Sequence, residues 1–169
     1  MFKVGDAIVH PTRGTGIVVG YEEFKLSGDT KEYYSIELLG ESSSSLLVPI
    51  DNVDTVGLRR AVSKSKLSEV WRVLKGNPRK LPDDHKERYS RLETKIHAGS
   101  IIKIAEAVRD MAWRRSQEKG LTGKGRRIYD RGMTLLTAEV AAVQGIEMAD
   151  AEAQVKLRLK DNIPSEAAP

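Results

Sequence analysis

The chain has 169 residues, 40% of them hydrophobic but only 5% aromatic, so aliphatic side chains must supply most of any core. It contains no cysteine, which excludes disulfides and cysteine-ligated zinc and makes a reducing cytoplasm the expected compartment. The net charge of +4 is unevenly spread: −5 in residues 1–58 (4 basic, 9 acidic), +12 in 59–131 (21 and 9) and −3 in 132–169 (3 and 6).

The first segment reads as short strands. Val4, Ala7 and Val9 precede a turn at Pro11 to Gly14, and Gly16 to Tyr21 carries the β-branched run Ile17, Val18, Val19. Leu26-Ser27-Gly28-Asp29-Thr30 is a hairpin signal. In Glu32 to Leu39, Tyr34, Ile36 and Leu38 alternate onto one face; Ser42 to Ser45 is a loop, and Leu46 to Ile50 is a last strand holding Pro49. Four or five such strands predict a small, strongly bent β barrel over 1–56.

After Gly57 the period becomes helical. Leu67, Val70, Trp71 and Leu74 mark a first helix, ended by Gly76 and Pro78. Asp84 and Glu87 have capping-box spacing at the start of a second, with Tyr89, Leu92 and Ile96 as its stripe. Ser100 caps a third and Thr122 a fourth, which runs to Gly145; a short fifth covers about Ala149 to Lys160. The predicted class is therefore α+β: the barrel, then a compact domain of about five helices over 59–161, then a frayed tail at 162–169.

Nothing in the sequence points to catalysis. His10, His85 and His97 are scattered without metal-ligand spacing. Gly14, Gly16 and Gly20 only imitate a dinucleotide loop, since they lead into a strand, and Gly123-Lys124-Gly125 lacks the rest of a phosphate loop. No enzyme activity, metal or cofactor is expected. No run reaches the roughly 20 apolar residues of a membrane span, and the start lacks a secretory pattern, so a soluble monomer without a membrane partner is expected.

The basic middle segment asks for a polyanion, nucleic acid first. Lys124, Arg126, Arg127 and Arg131 crowd the start of the fourth helix, where free backbone N–H groups also favour phosphate. Lys86, Arg88 and Arg91 lie on the second helix and Arg114, Arg115 and Lys119 near the end of the third. A solvated, solubilising face is the plainer reading of the same charges. Trp71 reads as core; Trp113, beside Arg114-Arg115, reads as core before base-stacking platform.

Ordered matches over about 120 residues then resemble one family, the CarD/CdnL-like transcription regulators. They comprise Phe2-Lys3-Val4-Gly5-Asp6, Lys31-Glu32-Tyr33-Tyr34, Val48-Pro49, Val56-Gly57-Leu58-Arg59, Ala98-Gly99-Ser100, Ile104 to Asp110, and Glu118-Lys119-Gly120-Leu121. The resemblance implies a Tudor-like N-terminal domain, similar to the RNA polymerase-interacting domain of transcription-repair coupling factors, that binds the polymerase β subunit by strand addition. It implies a helical domain lying on promoter DNA at the upstream edge of the melted region and stabilising the open complex, with the protein reaching the nucleoid through polymerase.

Carried over by position, Phe24, Lys25, Leu46, Leu47, Val48 and Pro49 would contact polymerase, and His85, Lys86, Arg88, Lys124, Arg126, Arg127 and Arg131 would contact DNA. Two departures stand out. The family's wedging tryptophan falls at His85, and its polymerase-contacting arginines fall at Phe24 and Leu47. An architectural nucleic-acid-binding protein that never meets polymerase is the alternative.

Overall fold

The structure, a computed structural model, describes residues 1–40, 44–117 and 120–160. Of the expected loop at 42–45, residues 42 and 43 lie outside the described residues, as do residues 118–119 and the tail at 162–169, while Ser45 opens a strand.

Strands β1 (Ala7–His10), β2 (Gly14–Leu26), β3 (Asp29–Leu38) and β4 (Ser45–Pro49) form an antiparallel sheet completed by a two-residue strand, β5 (Arg59–Arg60). The order is β4-β3-β2-β1-β5. Its core face carries Ile8, Val18, Tyr34, Ile36, Leu38 and Val48, closed by Phe2 and Leu58. The alternation expected for Tyr34, Ile36 and Leu38 is therefore the buried one. The expected barrel does not close, because β4 and β5 do not pair; β5 is too short, and the chain leaves it for the helices.

The β2–β3 hairpin turns through Ser27 and Gly28, both at positive φ (53° and 92°), as a two-residue hairpin loop demands. A bulge between Val18 and Gly20 shifts its register. Pairing with β1 stops at Ile17 and pairing with β4 stops at Tyr33, so Glu23 to Glu32 project as a free two-stranded arm.

Gly16, which imitated a nucleotide loop, has a packing role. A methyl there would lie 2.6 Å from Ile36 Cγ2 and 2.7 Å from the Glu37 carbonyl oxygen, a backbone atom that cannot yield. Gly16→Ala is expected to destabilise the chain by about 1–3 kcal/mol, read as a lowered urea midpoint.

A single 3₁₀ turn (Ile50–Asn52) and the one-turn helix α1 (Val53–Val56) lead into β5. The five expected helices follow as α2 (Lys64–Lys75), α3 (His85–His97), α4 (Ile101–Gln117), α5 (Gly123–Gln144) and α6 (Met148–Lys160). Caps act where the sequence places them: Asp84 accepts from the Glu87 N–H at 2.9 Å, and Thr122 from the Gly125 N–H at 3.3 Å. Around α4 and α5 packs one apolar cluster, with Leu74, Leu92, Ile104, Val108, Leu136 and Val155 inside it and Trp71 against it. The Trp71 ring also lies 3.8 Å under the Arg158 guanidinium. The Arg109-Asp110 pair of the family-like stretch is buried; Asp110 accepts from Arg109 Nε and from the Arg79 N–H, tying the α2–α3 connection to α4.

The sheet and the helices meet along α5. Arg59, on β5, makes two parallel hydrogen bonds to Glu139 at 2.7 and 2.9 Å and donates from Nε to the Gly99 carbonyl. Glu139 is 1% exposed and also accepts from the Val62 N–H. A carboxylate so buried persists because both its oxygens are engaged, by three hydrogen bonds in all; stripping Arg59 away would cost about 3 kcal/mol. One turn of helix below Leu135, Arg131 donates to the Thr12 carbonyl of the β1–β2 turn.

That turn is built on His10, whose Nδ1 accepts from the N–H groups of Thr12 and Arg13 at 3.2 and 3.1 Å. Burial, and after it the Arg13 charge, hold the imidazole below its ordinary value of 6.5. The folded ring thus binds its proton less readily than the unfolded one. Its contribution is complete above about pH 6.5 and is lost as pH falls through the depressed folded value. Thermal unfolding of the wild type is expected to shift downward between pH 7 and 5 more than that of His10→Asn.

Candidate functional site

Two surfaces collect the residues singled out by the sequence. The first is the outer edge of the sheet. The Leu38 N–H donates to the Ser44 carbonyl at 3.0 Å, and the antiparallel alternation then turns the backbone groups of Leu46 and Val48 inward and those of Ser45 and Leu47 outward. Side chains alternate as well. Leu46 and Val48 lie opposite Ile36 and Tyr34 on the core face, whereas Leu47 and Pro49 lie opposite Ser35 and Tyr33 on the outer one. Of the residues expected at the polymerase contact, Leu46 and Val48 turn their side chains to the β core, with Val48 3% exposed and Leu46 partly buried. Leu47 stays 41% exposed and Phe24 40%. Phe24 packs edge-on against Tyr33, ring centroids 5.3 Å apart, which places it on the same outer face as Leu47. Lys25 is exposed on the arm. A free strand edge thus runs beside an apolar face.

The second surface joins the N-terminal ends of α3 and α5. The Tyr89 hydroxyl meets the Thr122 hydroxyl, the cap of α5, and this bond holds the two helix starts together. That hydrogen bond, against the opposing effect of burial, lowers the Tyr89 hydroxyl below its ordinary value of 10.0, with help from Arg88 and Lys124. Lys124 sits 5.4 Å over the Tyr89 ring and 3.4 Å from Glu93; His85 is exposed on the first turn of α3 with its ring 6.3 Å from that of Tyr89. Lys86, Arg126 and Arg127 are exposed and make no ion pair or hydrogen bond among the described residues. Arg127 faces a groove of about 360 Å³ between α3 and α5, shared with Glu93, His97, Lys124 and Arg131.

Arg88, expected to contact phosphate, is turned mostly inward, with its guanidinium 5.1 Å over the Tyr89 ring. It is 8% exposed, and its guanidinium donates to the carbonyls of Pro82 and Asp83, holding the loop that starts α3. Arg91 is paired with Glu87 at 2.7 Å, as on an ordinary solvated helix face. Trp113 is half-buried near the end of α4. Among the described residues no group of three or more His, Cys, Asp or Glu could hold a metal ion, and no helix is long and apolar enough to cross a membrane.

Comparison with known proteins separates the same two parts. Residues 2–62 match the CarD-like/TRCF RID domain, and residues 69–156, more than half of the chain, match the C-terminal domain of CarD. The chain belongs to the CarD family. It is also 29% identical over 148 residues to the "Putative transcription factor YdeB" of Bacillus subtilis (strain 168), covering 86% of this chain and 94% of that one. The first match ends at residue 62 and so spans all five strands. This is a transcription-regulator family, and its N-terminal part is the one shared with the polymerase-interacting domains.

Sequence reasoning missed three features of this CarD-family chain: the Arg59–Glu139 pair, the Tyr89–Thr122 brace and the burial of Arg88. One signal was available. Glu139 interrupts the apolar stripe of Leu135, Leu136, Val140 and Val143, and a lone carboxylate on a core face must find a buried cation. For Arg88 the signal was weaker: it lies four and eight residues before Leu92 and Ile96 on the same buried stripe, but a cation at the end of a stripe reads equally well as solvated.

Proposed function

We propose that this chain is a non-enzymatic transcription regulator. The outer edge of β4 and the outer face of the arm take the β subunit of RNA polymerase; the basic surface at the starts of α3 and α5 takes promoter DNA at the upstream edge of the melted region. Holding both lengthens the life of the open complex. The observation that carries this reading is the pairing, within one CarD-family chain, of a free strand edge with exposed Phe24 and Leu47 and a separate surface of exposed cations, of which Lys86, Arg126 and Arg127 have no ion pair or hydrogen bond among the described residues. Strand addition needs the first. Phosphate binding needs the second, supplied by Lys86, Lys124, Arg126 and Arg127, with Arg131 behind them. The acidic sheet unit is unsuited to DNA, and this favours a division of labour.

In this reading His85, exposed on the first turn of α3, meets the edge of the melted region. It offers less apolar area than a tryptophan for prying bases apart, so it acts as a weak wedge. His85→Trp is expected to lengthen open-complex life, measured by survival after a competitor challenge.

The test of the whole reading uses the full chain, core polymerase and a promoter fragment. The chain is expected to co-purify with polymerase in the absence of DNA, and to slow open-complex decay. Tight DNA binding with no polymerase capture would move the reading to an architectural nucleic-acid-binding protein.

A further inference from the structure

We propose that this protein works as a rigid bracket, in which Arg59 and Glu139 are positioning residues that fix the β4 edge at one distance and angle from the basic surface. The inference rests on the two-partner reading above and adds how the two sites are coupled.

One helix carries both halves of the argument. On α5, Arg131, Leu135 and Glu139 recur every fourth residue and so share a face. Each meets the sheet unit: Arg131 at the Thr12 carbonyl, Leu135 against Gly14, where an added Cβ would lie 3.2 Å from its Cδ2, and Glu139 at Arg59. Arg126 and Arg127 stand on the same helix, one turn before Arg131. A displacement of the sheet unit would therefore have to tear contacts along two turns of the helix that presents the DNA-facing cations.

The chemistry of the joint favours one arrangement over all others. A greasy contact tolerates sliding, because one apolar surface serves nearly as well as the next. Glu139 does not. Its two oxygens are used by both arms of the Arg59 guanidinium and by the Val62 N–H, while Arg59 Nε is used by the Gly99 carbonyl. Any slip leaves a buried charge unpaired, so the pair penalises alternative dockings even where it adds little net stability. For a protein holding two partners that are themselves joined, a fixed span raises the effective concentration of the second contact only at the matching geometry.

The chain has no cysteine, so Glu37→Cys in the body of the sheet and Ser90→Cys on α3, both exposed, accept a pair of spin labels without background. The wild-type background is expected to give one narrow distance distribution. Arg59→Gln alone strands the buried carboxylate and lowers stability, so the neutral pair Arg59→Ala/Glu139→Gln, which keeps the Val62 bond, carries the test. It is expected to broaden the distribution, to leave binding to polymerase alone and to DNA alone within about twofold, and to shorten open-complex life by roughly tenfold. A distribution as narrow as the wild type, or a broadened one with wild-type open-complex life, would overturn the bracket. Failure of the wild-type chain to bind polymerase or DNA would instead count against the two-partner reading, and the distance distributions would still decide whether Arg59 and Glu139 hold the joint.

Discussion

Replacing Arg126 and Arg127 together with alanine is expected to weaken DNA binding by up to roughly 60-fold at 0.1 M salt and to flatten its salt dependence. The magnitude follows from counterion release: each phosphate contact contributes a slope of about 0.9 in log affinity against log salt, so losing two removes about 1.8. These two are the informative pair because both are exposed and neither has an ion pair or hydrogen bond among the described residues to compensate its loss. Lys124 and Arg131, by contrast, are engaged with Glu93 and with the Thr12 carbonyl. Arg88→Gln supplies the contrasting case. Its guanidinium holds the Pro82 and Asp83 carbonyls, so the variant is expected to lower the unfolding midpoint while leaving the salt slope unchanged. Fluorescence anisotropy on a labelled promoter fragment at several salt concentrations reads both. An unchanged slope in the double variant would place the DNA contact elsewhere.

Leu47→Pro is expected to reduce capture of the polymerase by roughly tenfold. Proline removes the one N–H that Leu47 directs away from β3, and its ring obstructs an incoming strand, while the inward bonds of Leu46 and Val48 are untouched. Leu47→Ala keeps that N–H and loses only apolar area, so it separates backbone pairing from side-chain contact. Phe24→Asp tests the outer face independently of the edge. It places a charge beside Tyr33 on an arm that carries no core residue, so the fold is expected to survive and polymerase capture to fall. Wild-type capture by both Leu47→Pro and Phe24→Asp would remove this edge as the docking site.

The two surfaces were legible in the sequence to different degrees. The charge split between residues 1–58 and 59–131 located the acidic and basic units without any structure, because unlike compositions in adjacent segments demand different surroundings. The caps Asp84 and Thr122, the Ser27-Gly28 turn and the alternation through Tyr34, Ile36 and Leu38 are local devices, and each sits where its spacing implied. Which members of a local cluster face a partner was not local. Leu46, Leu47 and Val48 are neighbours in sequence, yet the pleat sends Leu47 outward and buries the other two; Lys86 is free while Arg88, two residues on, turns beneath its own loop.

By itself, then, the amino-acid sequence determined the class of each unit, the residues that start and stop its helices, and the family it belongs to, since these depend on periodicity, capping and ordered short motifs. Only the tertiary structure decided that β4 is an edge, that Tyr89 joins the starts of α3 and α5, and that Arg59 meets Glu139 across 80 positions of chain. Those facts are long-range: they arise from which faces are left to pack once the elements exist, and although Glu139 in an apolar stripe signals that a partner is needed, nothing local names Arg59 as that partner.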